Sequence, residues 1–400
     1  MDMAELEYFF LRRVRAEVRW ISGELPPTRT FPWIFAGCAP VALVEGGRWL
    51  LTVAYGCVFA YDLDGPTDQE PQLLIKPDND SEEQYFRHIS IDMDYSELSL
   101  AFNVAVILQR APGPEDSPVP ILRVYRVTCV GRKSRLSAKK LASFSVPSGG
   151  IIVCLSLSGS YVAIWRLDRV EVYDWAHCNS DTHIKTSIPI VFVSQKFRLL
   201  STINFGFQGR IKLLPGSLLL FISQRHVALY KIKGLQRMPA GQVNVNAMLE
   251  PAWEVNKIPT KTSSVGCNIS NAVKGLHSLR VAVTMDRQIF GLTIPHENIY
   301  QTEFVPLSGV ILPDFEFEDF VTGVSKLFAS EGGRGFLVDF EWHEDKQRSN
   351  WPTLYARDMR RQALPFTSIQ APVFDEISGR VVLPVGGKFV VLEYGSFTQI

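Results

Sequence analysis

An excess of charge of either sign is the first thing this chain lacks. Lys plus Arg and Asp plus Glu stand at 41 each in 400 residues. No electrostatic footprint for nucleic acid or an anionic membrane is therefore spread over the sequence. Paired cysteines are missing too. The six (Cys38, Cys57, Cys129, Cys154, Cys178, Cys267) are scattered singly without a CxxC, which leaves a zinc ribbon or thioredoxin-type site unsupported. With 46% hydrophobic residues the chain fills a core without disulfide staples, so buried, reduced thiols are expected. Long apolar runs are absent as well. The most apolar stretch, 151–165, is broken by Ser and Gly and is too short to span a bilayer as a helix. The opening MDMAELEYFF carries acids where a secretory signal carries bases. A soluble, intracellular protein, cytoplasmic or nuclear, is expected.

Catalytic signatures are equally scarce. HExxH, GxSxG and the GxxxxGK[ST] phosphate loop do not occur. Gly333-Arg334-Gly335 lacks the third glycine of a dinucleotide fingerprint. His343-Glu344-Asp345 are consecutive loop residues, which rarely converge on one ion. His177 and Cys178 with His183 fit no zinc spacing. The acids Asp314, Glu316, Glu318 and Asp319 would suit a glycosidase only if they faced a channel; a solvated loop is the plainer reading. No catalytic residue, cofactor or metal is expected. The basic run GRKSRLSAKK (131–140) has no interleaved aromatic, unlike a nucleic-acid site, and reads as a solvated turn.

What the sequence does have is a repeat, the feature to seek before any other. One unit recurs: turn, apolar strand, turn, then an alternating strand with Tyr or Leu near its end. It reads GGRWLLTVAYGCVFAYDLD (46–64), SGSYVAIWRLDRVEVYDWA (158–176), PGSLLLFISQRHVALYKIK (215–233), LHSLRVAVTMDRQIFGLTI (276–294) and SGRVVLPVGGKFVVLEYG (378–395). Two copies carry insertions in their second turn. SELSLAFNVAVILQ (96–109) reaches ILRVYRV (121–127) through Arg110–Pro120, and GRGFLVDFEW (333–342) reaches PTLYARDM (352–359) through His343–Trp351. The seven copies recur with a mean period of roughly 55 residues, that of a propeller blade. Their second strands align on Tyr61, Tyr125, Tyr173, Tyr230, Leu292, Tyr355 and Leu392, positions expected in the core because alternation of period two buries one strand face.

A short strand candidate precedes each copy: 40–44, 87–93, 151–156, 209–214, 267–273, 320–328 and 371–374. Another follows six of them: 71–75, 140–146, 188–193, 251–255, 299–305 and 364–369. Four strands per copy make a blade. The expected fold is all-β, a seven-bladed WD40-like β-propeller over residues 29–400. Only GSFTQI follows the last copy, leaving its sheet one strand short. An unpaired edge is costly, so RTFPWIFAG (29–37) is expected to pair beside residues 388–394. Residues 1–23 are expected to be a helix, with Glu5 and Glu7 early and Arg12, Arg13, Arg15 and Arg19 late, as its dipole favours. Its apolar face is read as Leu6, Phe10, Val14 and Val18, with Tyr8 and Leu11 beside it.

The helix end FLRRVRAEVRWISG, GGRWLL with YDLD shortly after, and DYSELSLAFN together resemble a family of F-box proteins of mushroom-forming fungi with a C-terminal WD40-like propeller. The match covers essentially the whole chain. The resemblance implies a propeller that selects substrates for a cullin-type ubiquitin ligase, docked through an upstream F-box. No recognisable F-box precedes Gly23 here, so the ligase adaptor is an expected partner only if one lies upstream. Beside this stand two alternatives: a propeller scaffold unrelated to ubiquitin, and a hydrolase with channel-facing acids.

A protein partner is the leading expectation. Loops held on a rigid scaffold carry binding residues disproportionately, and Arg and Trp anchor interfaces most often. The turns between second and third strands therefore nominate Arg166, Arg169, Arg225, His226, Trp342 and Trp351.

Overall fold

The structure, a computed structural model, describes residues 3–22, 26–32, 39–54, 57–76, 84–97, 99–110, 119–130, 135–147, 152–166, 169–189, 209–223, 226–240, 249–256, 267–285, 288–307, 320–323, 326–331, 334–339, 372–385 and 387–395. A helix, α1 (Met3–Ser22), and a short strand, β1 (Thr28–Pro32), come first. Antiparallel sheets follow in series. They are β2 (Ala39–Leu43), β3 (Trp49–Ala54), β4 (Cys57–Asp62) and β5 (Gln72–Ile75); then β6 (Gln84–Met93), β7 (Ala101–Arg110), β8 (Ile121–Val130) and β9 (Arg135–Ser145). The third holds β10 (Ile152–Ser158), β11 (Tyr161–Arg166), β12 (Arg169–Asp174) and β13 (Thr182–Pro189). The fourth holds β14 (Gly209–Leu214), β15 (Leu218–Ser223), β16 (His226–Lys231) and, after β17 (Gln236–Pro239), which pairs with β13 at the edge of the third sheet, β18 (Trp253–Asn256). The fifth holds β19 (Asn268–Ile269), β20 (Val273–Lys274), β21 (Ser278–Met285), β22 (Gln288–Pro295) and β23 (Glu303–Pro306). β24 (Phe320–Thr322), β25 (Lys326–Glu331) and β26 (Arg334–Asp339) form the sixth, and β27 (Val373–Asp375), β28 (Arg380–Val385) and β29 (Lys388–Glu393) belong to the last. The fold is all-β and of the propeller type: serial meander sheets, with the first strand of the chain lent to the last sheet.

That loan falls where the missing strand predicts it. β1 pairs antiparallel with β29, from Thr28 opposite Leu392 to Pro32 opposite Lys388. The aligned tyrosines and leucines are core residues: Tyr61, Tyr125, Tyr173, Tyr230, Leu292 and Leu392 are all buried, while Tyr355 lies outside the described residues. One copy is assigned differently. Residues 326–331 form a second strand of their own, paired with β26, so residues 334–339 are the third strand of their sheet. The period-two run FVTGVSKLF conceals the break between β24 and β25. Residues 343–351 consequently follow the third strand and do not join the second to it. The first strand of the fifth copy is likewise split into β19 and β20, and the fourth strand of the third copy begins at Thr182, earlier than expected.

The chain divides into two compact units, residues 1–51, 61–70 and 258–400, and residues 52–60 and 71–257. In the second, serines lace the first strands of successive sheets. The Ser90 hydroxyl of β6 accepts from Leu157 N of β10 at 3.0 Å, and Ser156 of β10 accepts from Leu213 N of β14 at 2.8 Å. Each hydroxyl meets a backbone donor turned away from its own ladder, as buried amides require.

In the first unit α1 lies against the last sheet, but on an unexpected face. Ala16 is fully buried among Val381, Leu383, Leu392 and Tyr394, and Arg12 is buried beside it. Arg19 donates from Nη1 to the carbonyls of Glu393 and Tyr394, each at 3.1 Å. The apolar stripe turns outward instead: Phe10 is 64% exposed and Val18 57%, with Leu11 and Val14 also exposed. The side chain of Leu6 is outside the described residues. The reason is the floor. Gly379 and Gly395 leave room only for Ala16 and the Arg12 stem, and the nearby acceptors are carbonyls and Asp64, which arginines satisfy.

Gly379 has φ +66°, and a Cβ there would stand 2.5 Å from the Ala16 Cβ. Gly379→Ala is expected to lose about 2–4 kcal/mol, from left-handed backbone strain plus overpacking. Gly216→Ala, at φ +82° with nothing within 4 Å, is expected to lose only the strain part, about 1–2 kcal/mol. Urea denaturation of both separates the two costs.

No described helix is long and apolar enough to cross a membrane. Five cysteines are described and none is in a disulfide. Only Cys267 is buried; Cys57, Cys129, Cys154 and Cys178 are half-buried, against the expectation of a buried set.

Candidate interaction surface

Strand alternation puts Glu171 of β12 on the face it shares with Arg166 of β11 and with Tyr173, and the neighbouring β13 adds His183 and Lys185 on that side. A surface turn was expected here, because WRLDRVE is rich in charge. The structure instead buries Arg166, Glu171, Lys185 and His183 completely. Arg166 donates from Nε to Glu171 Oε2 at 2.8 Å and from Nη2 to the Pro147 carbonyl at 2.7 Å. The other carboxylate oxygen faces Arg169 Nε at 3.4 Å and Lys185 Nζ at 3.8 Å. One buried carboxylate thus gathers three cations, and Lys185 also lies over the Tyr173 ring, 5.3 Å from its centroid.

Arg166 therefore departs from the expected role of a surface contact. Its guanidinium is committed inward, because a buried charge must be paired. Arg169, the first residue of β12, keeps a partly exposed side chain at the turn. His226, the first residue of β16, occupies the same place in the next sheet. It is buried, with Nε2 3.0 Å from Glu254 Oε2. Arg225, Trp342 and Trp351 lie outside the described residues. Each described turn residue is thus tied to a carboxylate on its own sheet, a signal that charge-rich sequence alone conceals. The remaining candidates do not converge. His177 Nδ1 meets Asp174 at 2.9 Å, and Cys178 accepts from Ile184 N at 3.3 Å, while Asp314, Glu316, Glu318 and Asp319 are outside the described residues.

His183 packs against Phe144 and Tyr173, with ring centroids 5.1 and 5.7 Å away, and no described residue hydrogen-bonds either ring nitrogen. Burial, then the charge of Lys185, lowers its pKa below the usual 6.5. The folded state resists a proton that the unfolded chain accepts, so this group's contribution is whole above pH 6.5 and falls as pH drops below it. His183→Phe is expected to remove that loss, gaining more stability at pH 5 than at pH 8. Denaturant midpoints at the two pH values check it; equal shifts would show that the imidazole does not titrate.

No family model matches the chain, and no curated protein does. Solved structures with a similar backbone include a chain of a mitotic checkpoint complex, at 10% identity and TM-score 0.46, covering 92% of this chain and 94% of that one. Another is the WD40 domain of SCAP from fission yeast, at 11% identity and TM-score 0.40, covering 88% and 82%. The reading of the surface therefore rests on its own side chains.

Proposed function

We propose that this chain is a non-enzymatic protein-interaction propeller of seven blades that holds a protein partner on the turns between second and third strands. The observation that carries the reading is the buried Glu171 cluster. Charges sunk under a turn fix its backbone, and a fixed turn loses little freedom when a partner docks. Arg169 and Arg225 are the proposed contacts on this surface, with Arg166 and His226 acting from beneath through Glu171 and Glu254. Trp342 and Trp351, which follow a third strand in the chain and so do not belong to these turns, are proposed as a separate contact set. The test is affinity purification of the tagged protein against Arg169→Ala/Arg225→Ala and Trp342→Ala/Trp351→Ala, with co-purifying proteins quantified. A partner lost by about fivefold or more from the arginine variant, at an unchanged unfolding midpoint, supports the turn surface, and the same loss from the tryptophan variant supports the separate set. Retention of every partner by the arginine variant overturns the turn surface.

The F-box resemblance supports a finer reading, in which the propeller selects substrates for a ubiquitin ligase. Recovery of the cullin adaptor with the protein from its natural source tests that point separately.

A further inference from the structure

We propose that the outer edge of β9 is a docking strand for an extended protein segment that alternates acidic and apolar residues. β9 is the last strand of its sheet, eleven residues long, and its far side pairs with no strand among the described residues. Leu136 shows which way the edge faces. Its N–H donates to Gln72 Oε1 at 3.1 Å, and its carbonyl accepts from Gln72 Nε2. One carboxamide thus imitates the pair of hydrogen bonds that a neighbouring strand would make. Across the ladder Cys129, opposite Leu136, donates to Leu100 on the other side, so Leu136 stands at a non-hydrogen-bonded position of the β8–β9 pair. By the two-residue period of an antiparallel ladder, the backbone groups of Ala138 and Lys140 also face outward.

The side chains decide what can pair there. RLSAKKLASFS contains three bases, Arg135, Lys139 and Lys140, and no acid. All three are exposed. Residues 131–140 were expected to be a solvated turn, but those from Arg135 on belong to β9. A bulge leaves Leu141 out of register between Lys140 and Ala142, 43% exposed, and Leu73 beside Gln72 is 48% exposed. Lysines and a bulge on an edge repel indiscriminate strand pairing. Carboxylates reverse the sign of that repulsion, so the same residues admit an acidic strand and reject others, and Leu73 and Leu141 offer apolar contacts at either end. This is strand addition, with backbone bonds for affinity and side chains for selectivity. It is independent of the turn surface proposed above.

The probe is a fluorescent nine-residue peptide alternating Glu and Val, titrated against the full chain by polarisation, with a Lys/Val peptide as control. The Glu/Val peptide is expected to bind with a Kd below ~1 mM and about tenfold or more tighter than the control. Ala138→Pro removes one outward N–H at an edge where proline is tolerated, and it is expected to abolish binding. Lys139→Glu/Lys140→Glu is expected to weaken the Glu/Val peptide about tenfold and strengthen the Lys/Val peptide. The charge-reversed variant decides the matter if Ala138→Pro does not fold. Equal binding by both peptides, unchanged binding to Ala138→Pro, or none up to ~1 mM overturns the proposal. So does a single-stranded oligonucleotide that binds more tightly than the Glu/Val peptide and is indifferent to Ala138→Pro, which would assign the bases to phosphate.

Discussion

Glu171→Gln is expected to destabilise residues 71–257 by about 3–5 kcal/mol. The amide keeps the volume of the carboxylate and one acceptor for Arg166, so little packing is lost. What is lost is the carboxylate that Arg166, Arg169 and Lys185 share, and two of the three are fully buried with it. Cations that lose a carboxylate in a dry interior are costly, more so than the pair is worth in isolation. Lys185→Met should be much milder, because burial already lowers the pKa of that amine and two arginines remain for Glu171. The double variant Glu171→Gln/Lys185→Met is therefore expected to be more stable than Glu171→Gln alone, a coupling that a double-mutant cycle in urea reads directly. If Glu171→Gln lies within about 0.5 kcal/mol of wild type, the cluster does not hold the turn.

The expected size of that effect contrasts with how little the sequence says about it. WRLDRVE carries four charges in seven residues, and charge in a turn reads as solvation. Only the strand register, which sets Glu171 beside Ile164 and Ser187, turns it inward, and register is a tertiary property. Alternation and turn chemistry were legible because they are local. GRIKLL is a strand over the residues expected, and Gly46, Gly159, Gly216 and Gly379 all take positive φ at the turn that opens a copy. The misassigned sixth copy fails for the same reason in reverse, since a period-two pattern runs unbroken from β24 into β25. The helix shows the third kind of limit. An apolar stripe says which face would bury in an apolar groove, but the floor beneath α1 is made of glycines and carbonyls, and it selects Arg12, Ala16 and Arg19.

The loan of β1 to the last sheet was legible because a sheet one strand short is a deficit visible in the sequence, and its removal should have the largest effect in the first unit. Deleting residues 1–32 uncovers the backbone of β29 from Lys388 to Leu392. It also withdraws Phe31, which is almost wholly buried; Phe31→Ala alone is expected to cost about 3–5 kcal/mol. Arg29 leaves with the strand, and with it the contacts to the carbonyls of Leu63 and Gly65 and the ion pair to Glu393 at 3.9 Å. Glu393 then depends on Arg380, which already serves Asp64 at 2.5 Å and the Gly47 carbonyl at 2.8 Å. The expected result is a chain that aggregates through its open edge or unfolds well below the wild-type midpoint. Deleting residues 3–22 alone should be milder, since it removes α1 and leaves the strand. A synthetic peptide of residues 26–32 added in trans should partly restore the midpoint of the longer deletion, as a lent strand requires and a merely covering segment does not. A monomeric deletion protein with an unshifted midpoint would mean that β29 does not need its partner.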